Sequence, residues 1–183
     1  MRKTIFGGTL VAACAAVLLA MPVSSEAAVM QGVGMPNPMV SYDTVQAAAK
    51  EAGFQPLYLP EISGYHVDFV YVVSKNVIDI GYTRDGDTET TLRVRTARAS
   101  SQSSDDISGV YSVKWKTQTI DNTKVSIAQV PGVDRSKTNP DGYAAHWQVG
   151  DMLYSVSADH IAQPEFMHLL KTGLLDLSQH YYH

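Results

Sequence analysis

The sequence predicts an α+β protein, in which one antiparallel β-sheet of about six or seven strands carries an N-terminal and a C-terminal helix on one face. Three observations lead to this prediction. Helical spacing of apolar residues occurs only near residue 50 and after residue 163. Between them lie alternating segments rich in branched and aromatic residues, joined by short turn sequences. Because no helices alternate with these strands, a parallel doubly wound sheet is not expected.

Residues 1–27 have the layout of a secretory signal peptide, with Arg2 and Lys3 ahead of an apolar stretch and small residues up to Ala27. Cleavage after Ala27 leaves 156 residues with a net charge of −5 and no cysteine. We therefore expect a secreted or periplasmic protein without a stable membrane span after cleavage. A lipid anchor on Cys14 is the less favoured alternative, because the apolar run continues beyond this cysteine.

The composition excludes several classes of protein. The chain has 183 residues, of which 45% are hydrophobic and 17% charged, and its net charge is −4. These values are those of a single globular domain and not of a disordered tail, a collagen-like rod or a multi-pass membrane protein. The negative charge argues against a nucleic-acid partner. No residue pattern predicts a cofactor.

The first helix is predicted between a flexible lead-in over 28–40 and the first strands. Asp43 is the expected N-cap, with Gln46 at the capping-box position, and Gly53 suits the C-terminal cap. The apolar face of this helix consists of Val45, Ala48, Ala49 and Ala52.

The strands are predicted from the alternation of apolar and polar residues and from three turn dipeptides between them, Asp85-Gly86, Asp121-Asn122 and Gly150-Asp151. We predict strands over 66–74, 77–83, 88–97, 110–120, 124–130, 143–149 and 152–158.

The second helix begins at Pro164, which suits the first helical turn. Its apolar stripe predicts packing against the sheet and consists of Phe166, Leu169, Leu170, Gly173, Leu174 and Leu177. The predicted single domain covers 41–178 and is followed by a C-terminal tail over 179–183.

Four stretches, in order, resemble the DUF4367 family of exported bacterial domains of unknown function. They are AAAKEAGF at 47–54, LYLPEISGY at 57–65, DISGVY at 106–111 and AAHWQVGDMLYSVS at 144–157. The resemblance spans roughly 44–176. It implies an exported domain of a kind that often belongs to membrane-bound regulators, some with anti-sigma-like regions. It supplies no catalytic residues.

The pattern RVRTAR contains the clearest candidate for binding chemistry. Arg93 and Arg95 share one face of a predicted strand, where two guanidinium groups can bind a carboxylate or phosphate. The alternative is a solvated sheet face on which these arginines pair across strands with Asp79 or Glu89.

Trp147 and Tyr154 are further candidates for ligand contact, because aromatic rings bind sugars, peptides and lipids. The alternative for both is packing within the sheet.

Two other patterns contain side chains of the kinds that bind metal ions. His180 and His183 are weak metal candidates near a terminus that we expect to fray. The acidic cluster DGDTE at 85–89 lacks the spacing of an EF-hand loop and is interpreted as a solvated hairpin tip.

These observations favour an exported, non-enzymatic binding or interaction domain of the bacterial cell envelope. Its partner is an unidentified protein or small-molecule ligand. Two alternatives remain: a sensory domain related to envelope-stress regulators, and a hydrolase of cell-envelope material. No Gly-x-Ser-x-Gly motif occurs to support hydrolysis by a serine nucleophile.

Overall fold

The structure, a computed structural model, describes residues 39–59, 64–131 and 142–180. The predicted signal peptide, the first part of the predicted lead-in and the metal candidate His183 lie outside the described residues. None of the described helices is both long enough and apolar enough to cross a membrane.

One eight-stranded antiparallel sheet forms the centre of the described chain, with the order β1-β2-β3-β4-β8-β7-β6-β5. The predicted α+β class with an antiparallel sheet is confirmed, with slightly more strands than expected. The additional strand is Met39–Ser41, which lies at the end of the predicted lead-in and pairs with the following strand. The strands are β1 Met39–Ser41, β2 Tyr65–Val73, β3 Val77–Arg84, β4 Thr90–Arg98, β5 Lys116–Ile120, β6 Thr123–Val130, β7 Gly142–Val149 and β8 Met152–Ala158.

The sheet consists of two groups of strands, β1 to β4 and β5 to β8, and in each group strands that are adjacent in sequence pair with each other. The two groups join where β4 pairs with β8. Arg95 on β4 lies opposite Ser155 on β8, which fixes the register of this junction. The turn between β5 and β6 is the predicted Asp121-Asn122, whose residues have φ values of 46° and 64°. A two-residue turn with this backbone matches the twist of its flanking strands.

The first helix, α1 (Val45–Ala52), begins one residue later than the sequence suggested. Its N-cap is Thr44 and not Asp43, because the Thr44 hydroxyl accepts a hydrogen bond from the Ala47 backbone N–H at 3.1 Å. Gly53 ends the helix with a φ of 75°, a left-handed conformation that glycine adopts without strain.

The C-terminal helix is continuous but changes its winding. It consists of α2 (Gln163–Leu169), a π-helical segment (Leu170–Leu175) and α3 (Asp176–His180). Pro164 lies in its first turn, as predicted. The predicted apolar stripe faces the sheet, with Phe166, Leu170 and Leu174 fully buried.

The two faces of the sheet differ in what covers them. On one face, which we call the helix face, Ile80, Val94 and Val156 belong to the same core cluster as residues of α1 and of the C-terminal helix. On the opposite face lie Asp79 and Arg93, so we call it the arginine face. The larger hydrophobic core is therefore on the helix face, and the arginine face carries most of the polar side chains together with a smaller apolar cluster.

A non-helical, non-strand segment over 102–115 crosses the arginine face. Ile107 packs on Ala97 and Leu153, and the ring of Trp115 meets that of His146. The predicted strand over 110–120 is correspondingly shorter, because β5 begins only at Lys116. Ser112 has a φ of 61°, which lies outside the β region and is incompatible with a continuous strand.

Candidate functional site

A row of mostly polar residues crosses the arginine face, one from each strand. Cross-strand pairs place Asp79 opposite Arg95 and Arg95 opposite Ser155. The row ends at Ser41 on β1 and at Thr117 on β5, and its complete order is Ser41, Tyr71, Asp79, Arg95, Ser155, His146, Ser126 and Thr117. The alternation of adjacent strands thus collects onto one surface polar groups that are far apart in sequence.

Asp79 is the centre of the charged part of this row. Its side chain is fully buried, and both candidate arginines bind it. Arg93 donates from Nη2 to Asp79 Oδ2 and from Nε to Oδ1, the latter at 3.4 Å. Arg95 Nε donates to Oδ2 at 3.1 Å. The cross-strand pairing with Asp79, which was the alternative to an anion site, is therefore present. It leaves one net positive charge among these three side chains.

Arg95 is held on its other side by the segment over 102–115. Its Nη1 donates to the Ile107 carbonyl oxygen at 3.1 Å. The carboxylate of Asp106 accepts hydrogen bonds from the backbone N–H and the hydroxyl of Ser108, at 2.9 and 2.6 Å. Gly109 passes so close that a Cβ there would lie 2.3 Å from Arg95 Nη1. The DISGVY stretch thus forms a turn that holds the Arg95 guanidinium in place. Most of the hydrogen-bond donors of Arg95 are therefore already bonded within the protein.

Arg93 is the more accessible of the two arginines. Its side chain is 39% exposed, against 20% for Arg95. Its guanidinium carbon lies 5.4 Å from the centroid of the Phe69 ring. Among the described residues, none is hydrogen-bonded to Nη1 of Arg93, so two of the five guanidinium donors remain for another partner.

Phe69 lies over Gly81, directly across the strand pair. A Cβ at Gly81 would meet the Phe69 ring at 2.2 Å, so glycine permits this ring to lie flat on the sheet. Phe69 also stacks on Tyr71, with 4.6 Å between ring centroids. The two rings and the Arg93 guanidinium form a shallow surface with an apolar and a cationic part.

A small pocket of about 280 Å³ adjoins Arg95 on the same face. Met39 and Tyr111 are among its lining residues, and they are 54% and 85% exposed. These are two of the most exposed large apolar side chains of the described chain. The charged centre therefore has apolar side chains at its border.

The other two candidates for ligand contact, Trp147 and Tyr154, lie on the helix face. Trp147 is 2% exposed and Tyr154 is fully buried, and their rings stack at 5.6 Å. Trp147 Nε1 donates to the Ser178 hydroxyl at 3.0 Å, and Ser178 donates to the Leu175 carbonyl oxygen at 2.8 Å. In this structure both rings are core residues beneath the C-terminal helix, apart from Arg93 and Arg95.

The candidate metal ligand His180 is exposed at the end of α3, where its Nδ1 lies 2.7 Å from the Asp176 carbonyl oxygen. The acidic hairpin tip over 85–89 is exposed. Within the described ranges, no group of three or more His, Cys, Asp or Glu side chains is arranged to hold a metal ion.

Sequence reasoning missed the aromatic part of the surface and the turn that holds Arg95. The glycine at position 81 was the available signal, because an isolated glycine inside a strand indicates a close approach by another group. The contacts of Ile107 with Ala97 and Leu153 join distant parts of the chain and have no local signature.

No family model, curated protein or solved structure matches the chain.

Proposed function

We propose that this chain is an exported, non-enzymatic binding domain of the bacterial cell envelope, of the DUF4367 type, and that its ligand presents a carboxylate or phosphate to Arg93. The observation that carries the proposal is the half-exposed Arg93 guanidinium, anchored by the buried Asp79 and lying over the Phe69 ring.

The anchoring supports binding because it prepares the guanidinium for a partner. Asp79 holds Nε and Nη2 of Arg93, so the direction of the remaining Nη1 donors is set before an anion arrives. A pre-organised donor loses less conformational freedom on binding than a mobile side chain does. The net positive charge of the Asp79, Arg93 and Arg95 group favours an anionic ligand.

Binding is favoured over hydrolysis by the state of Asp79. This is the carboxylate nearest to Arg93, but it is fully buried and accepts hydrogen bonds from two arginines. A general base must come within hydrogen-bond reach of its substrate, whereas this carboxylate has no exposed surface. The surrounding surface is shallow and partly aromatic, which suits recognition of a ligand.

Direct titration tests the proposal. Protein produced from the full-length sequence is titrated with succinate, with inorganic phosphate and with uncharged glycerol, and binding is followed by calorimetry. The succinate and phosphate arms separate a carboxylate ligand from a phosphate ligand. The matched variants are Arg93→Gln and Arg98→Gln; Arg98 is also exposed and lies near an aromatic ring, that of Phe54.

We expect saturable binding of at least one anion and none of glycerol. A charge-assisted hydrogen bond contributes about 1.5–3 kcal/mol, so Arg93→Gln should weaken binding by about tenfold or more. Arg98→Gln should bind as the unmodified protein does. Equal affinities of all three proteins, or no anion binding up to concentrations at which weak sites saturate, would contradict the proposal.

A further inference from the structure

A second concave region lies on the arginine face, at the end of the sheet where β5 turns into β6 and β7 turns into β8. It is a cleft of about 670 Å³, larger than the pocket beside Arg95. Small-molecule sites commonly have volumes of about 300–1,000 Å³. Its polar lining side chains include Asp105, Thr117, Asn122, Ser126, His146 and Gln148.

The lining combines donors and acceptors of hydrogen bonds at close spacing. Thr117 and Ser126 lie opposite each other on β5 and β6, with their hydroxyl oxygens 3.0 Å apart. A hydroxyl both donates and accepts, and the side-chain amides of Asn122 and Gln148 each have a carbonyl and an NH₂ group. Gln148 Nε2 donates one of its two hydrogens to the Gly150 carbonyl oxygen at 2.8 Å, which fixes the direction of this amide. Such groups match a ligand that carries several hydroxyls, each of which also donates and accepts.

The charges of the cleft balance. Among the Asp, Glu, Lys and Arg residues, Asp105 and Lys124 alone line it, and their charges are opposite. This distinguishes the cleft from the Arg93 surface, where one positive charge is in excess. A neutral ligand is therefore better matched than an anion.

An aromatic ring adjoins the polar lining. Trp115 is partly exposed, and its ring meets that of the lining residue His146 edge-on, with 4.7 Å between centroids. Aromatic rings provide a rigid apolar surface at low conformational cost. The ring C–H groups of a pyranose form an apolar patch that packs on such a surface while its hydroxyls bond to polar neighbours.

We propose that this cleft binds a neutral saccharide, with Trp115 in contact with a pyranose ring and Asn122 and Gln148 hydrogen-bonded to its hydroxyls. The site is separate from Arg93 and does not depend on anion binding there. It gives the domain a second ligand class, suited to a polysaccharide of the cell envelope.

Tryptophan fluorescence gives a direct readout, because the chain contains two tryptophans and the more exposed one, Trp115, is the proposed contact with the sugar ring. Trp147 also borders the cleft, but its side chain is 2% exposed and its Nε1 is bound to Ser178 of the C-terminal helix, so we expect the emission change to come from Trp115. Full-length protein is titrated with chitotriose, maltotriose and, as a control for a peptide ligand, trialanine. We expect saturable changes in Trp115 emission with at least one trisaccharide and none with trialanine.

Three variants sharpen the test. Trp115→Phe should abolish the emission change, and the double variant Asn122→Ala/Gln148→Ala should weaken saccharide binding by about tenfold or more, with circular dichroism reporting that both remain folded. Arg93→Gln should leave saccharide binding unchanged, so failure of this proposal is distinguishable from failure of the anion site. Saturation with trialanine alone, no saturation with either trisaccharide, or an undiminished affinity of the double variant would overturn the proposal.

Discussion

Replacement of Asp79 with asparagine tests whether the charged centre holds the arginine face together. The substitution keeps the shape of the side chain but removes the negative charge that two guanidinium groups share. Asp79 is fully buried, whereas the side chains of Arg93 and Arg95 are 39% and 20% exposed. The variant therefore leaves two neighbouring positive charges without their common partner.

The expected cost follows from this burial. Removal of one partner from a buried ion pair destabilises proteins by about 3–5 kcal/mol. Because both arginines are partly exposed, water recovers part of their interaction, and we expect a loss of about 2–4 kcal/mol for Asp79→Asn. In a chain of this length, each kcal/mol lowers the melting temperature by about 2–4 °C.

Urea denaturation measures this loss as a lower transition midpoint at an unchanged slope. Asp85→Asn is the matched control, since the Asp85 side chain is 72% exposed and should change the free energy of unfolding by no more than about 0.5 kcal/mol. If Asp79→Asn were as stable as this control, the carboxylate would not hold the two arginines, and the argument for a pre-organised Arg93 would be wrong.

Two further substitutions test the helix face. Ser178→Ala removes the acceptor of the buried Trp147 N–H, and we expect denaturation to show a loss of about 1–3 kcal/mol. Tyr82→Phe removes the hydroxyl that accepts a hydrogen bond from the Leu59 N–H at 3.2 Å, and we expect a loss of about 1 kcal/mol at neutral pH. Burial raises the pKa of Tyr82 above its usual 10, so the unfolded chain ionises this residue first, and the stability it contributes is lost as the pH rises above 10. The difference in stability between the unmodified protein and Tyr82→Phe should therefore shrink by up to about 1.4 kcal/mol per pH unit above pH 10.

Each of these substitutions has a matched control on an exposed residue. Thr172→Ala removes an exposed hydroxyl from the C-terminal helix and should change stability by no more than about 0.5 kcal/mol. Tyr111→Phe removes a hydroxyl from a side chain that is 85% exposed and should change stability at neutral pH by no more than about 0.5 kcal/mol. A Ser178→Ala variant as stable as Thr172→Ala would contradict the buried hydrogen bond. A constant difference between Tyr82→Phe and the unmodified protein from pH 8 to 11 would contradict the burial argument for Tyr82.

The strands and helices were largely predictable because their periodicities are strong. The boundaries of the strands and helices were less predictable. Thr44 and Asp43 both suit an N-cap, and only the hydrogen bond from the Ala47 N–H to Thr44 distinguishes them. The strand expected over 110–120 starts late because Trp115 turns onto His146, a contact with a distant strand. Alternation alone cannot reveal such a contact.

The candidate site was predictable only in part. The spacing of Arg93 and Arg95 indicated a shared face, and Asp79 was one of two expected partners. The pairing of β4 with β8 joins residues far apart in sequence, so the neighbours of Arg95 beyond β3 could not be deduced. Trp147 and Tyr154 were ambiguous for a related reason, since which face of their strands meets the helices depends on the whole sheet.

The proposed anion site is tested most directly by the NMR signals of the arginine side chains during titration with an anion. Nitrogen-15 labelling resolves the Nε–Hε groups of Arg93, Arg95 and Arg98 in one spectrum. On addition of succinate or inorganic phosphate, we expect the Arg93 signal to shift progressively to saturation, the Arg95 signal to shift less and the Arg98 signal to stay unchanged. An Arg93 signal that stays constant, or that shifts no more than that of Arg98, would contradict binding at the arginine face.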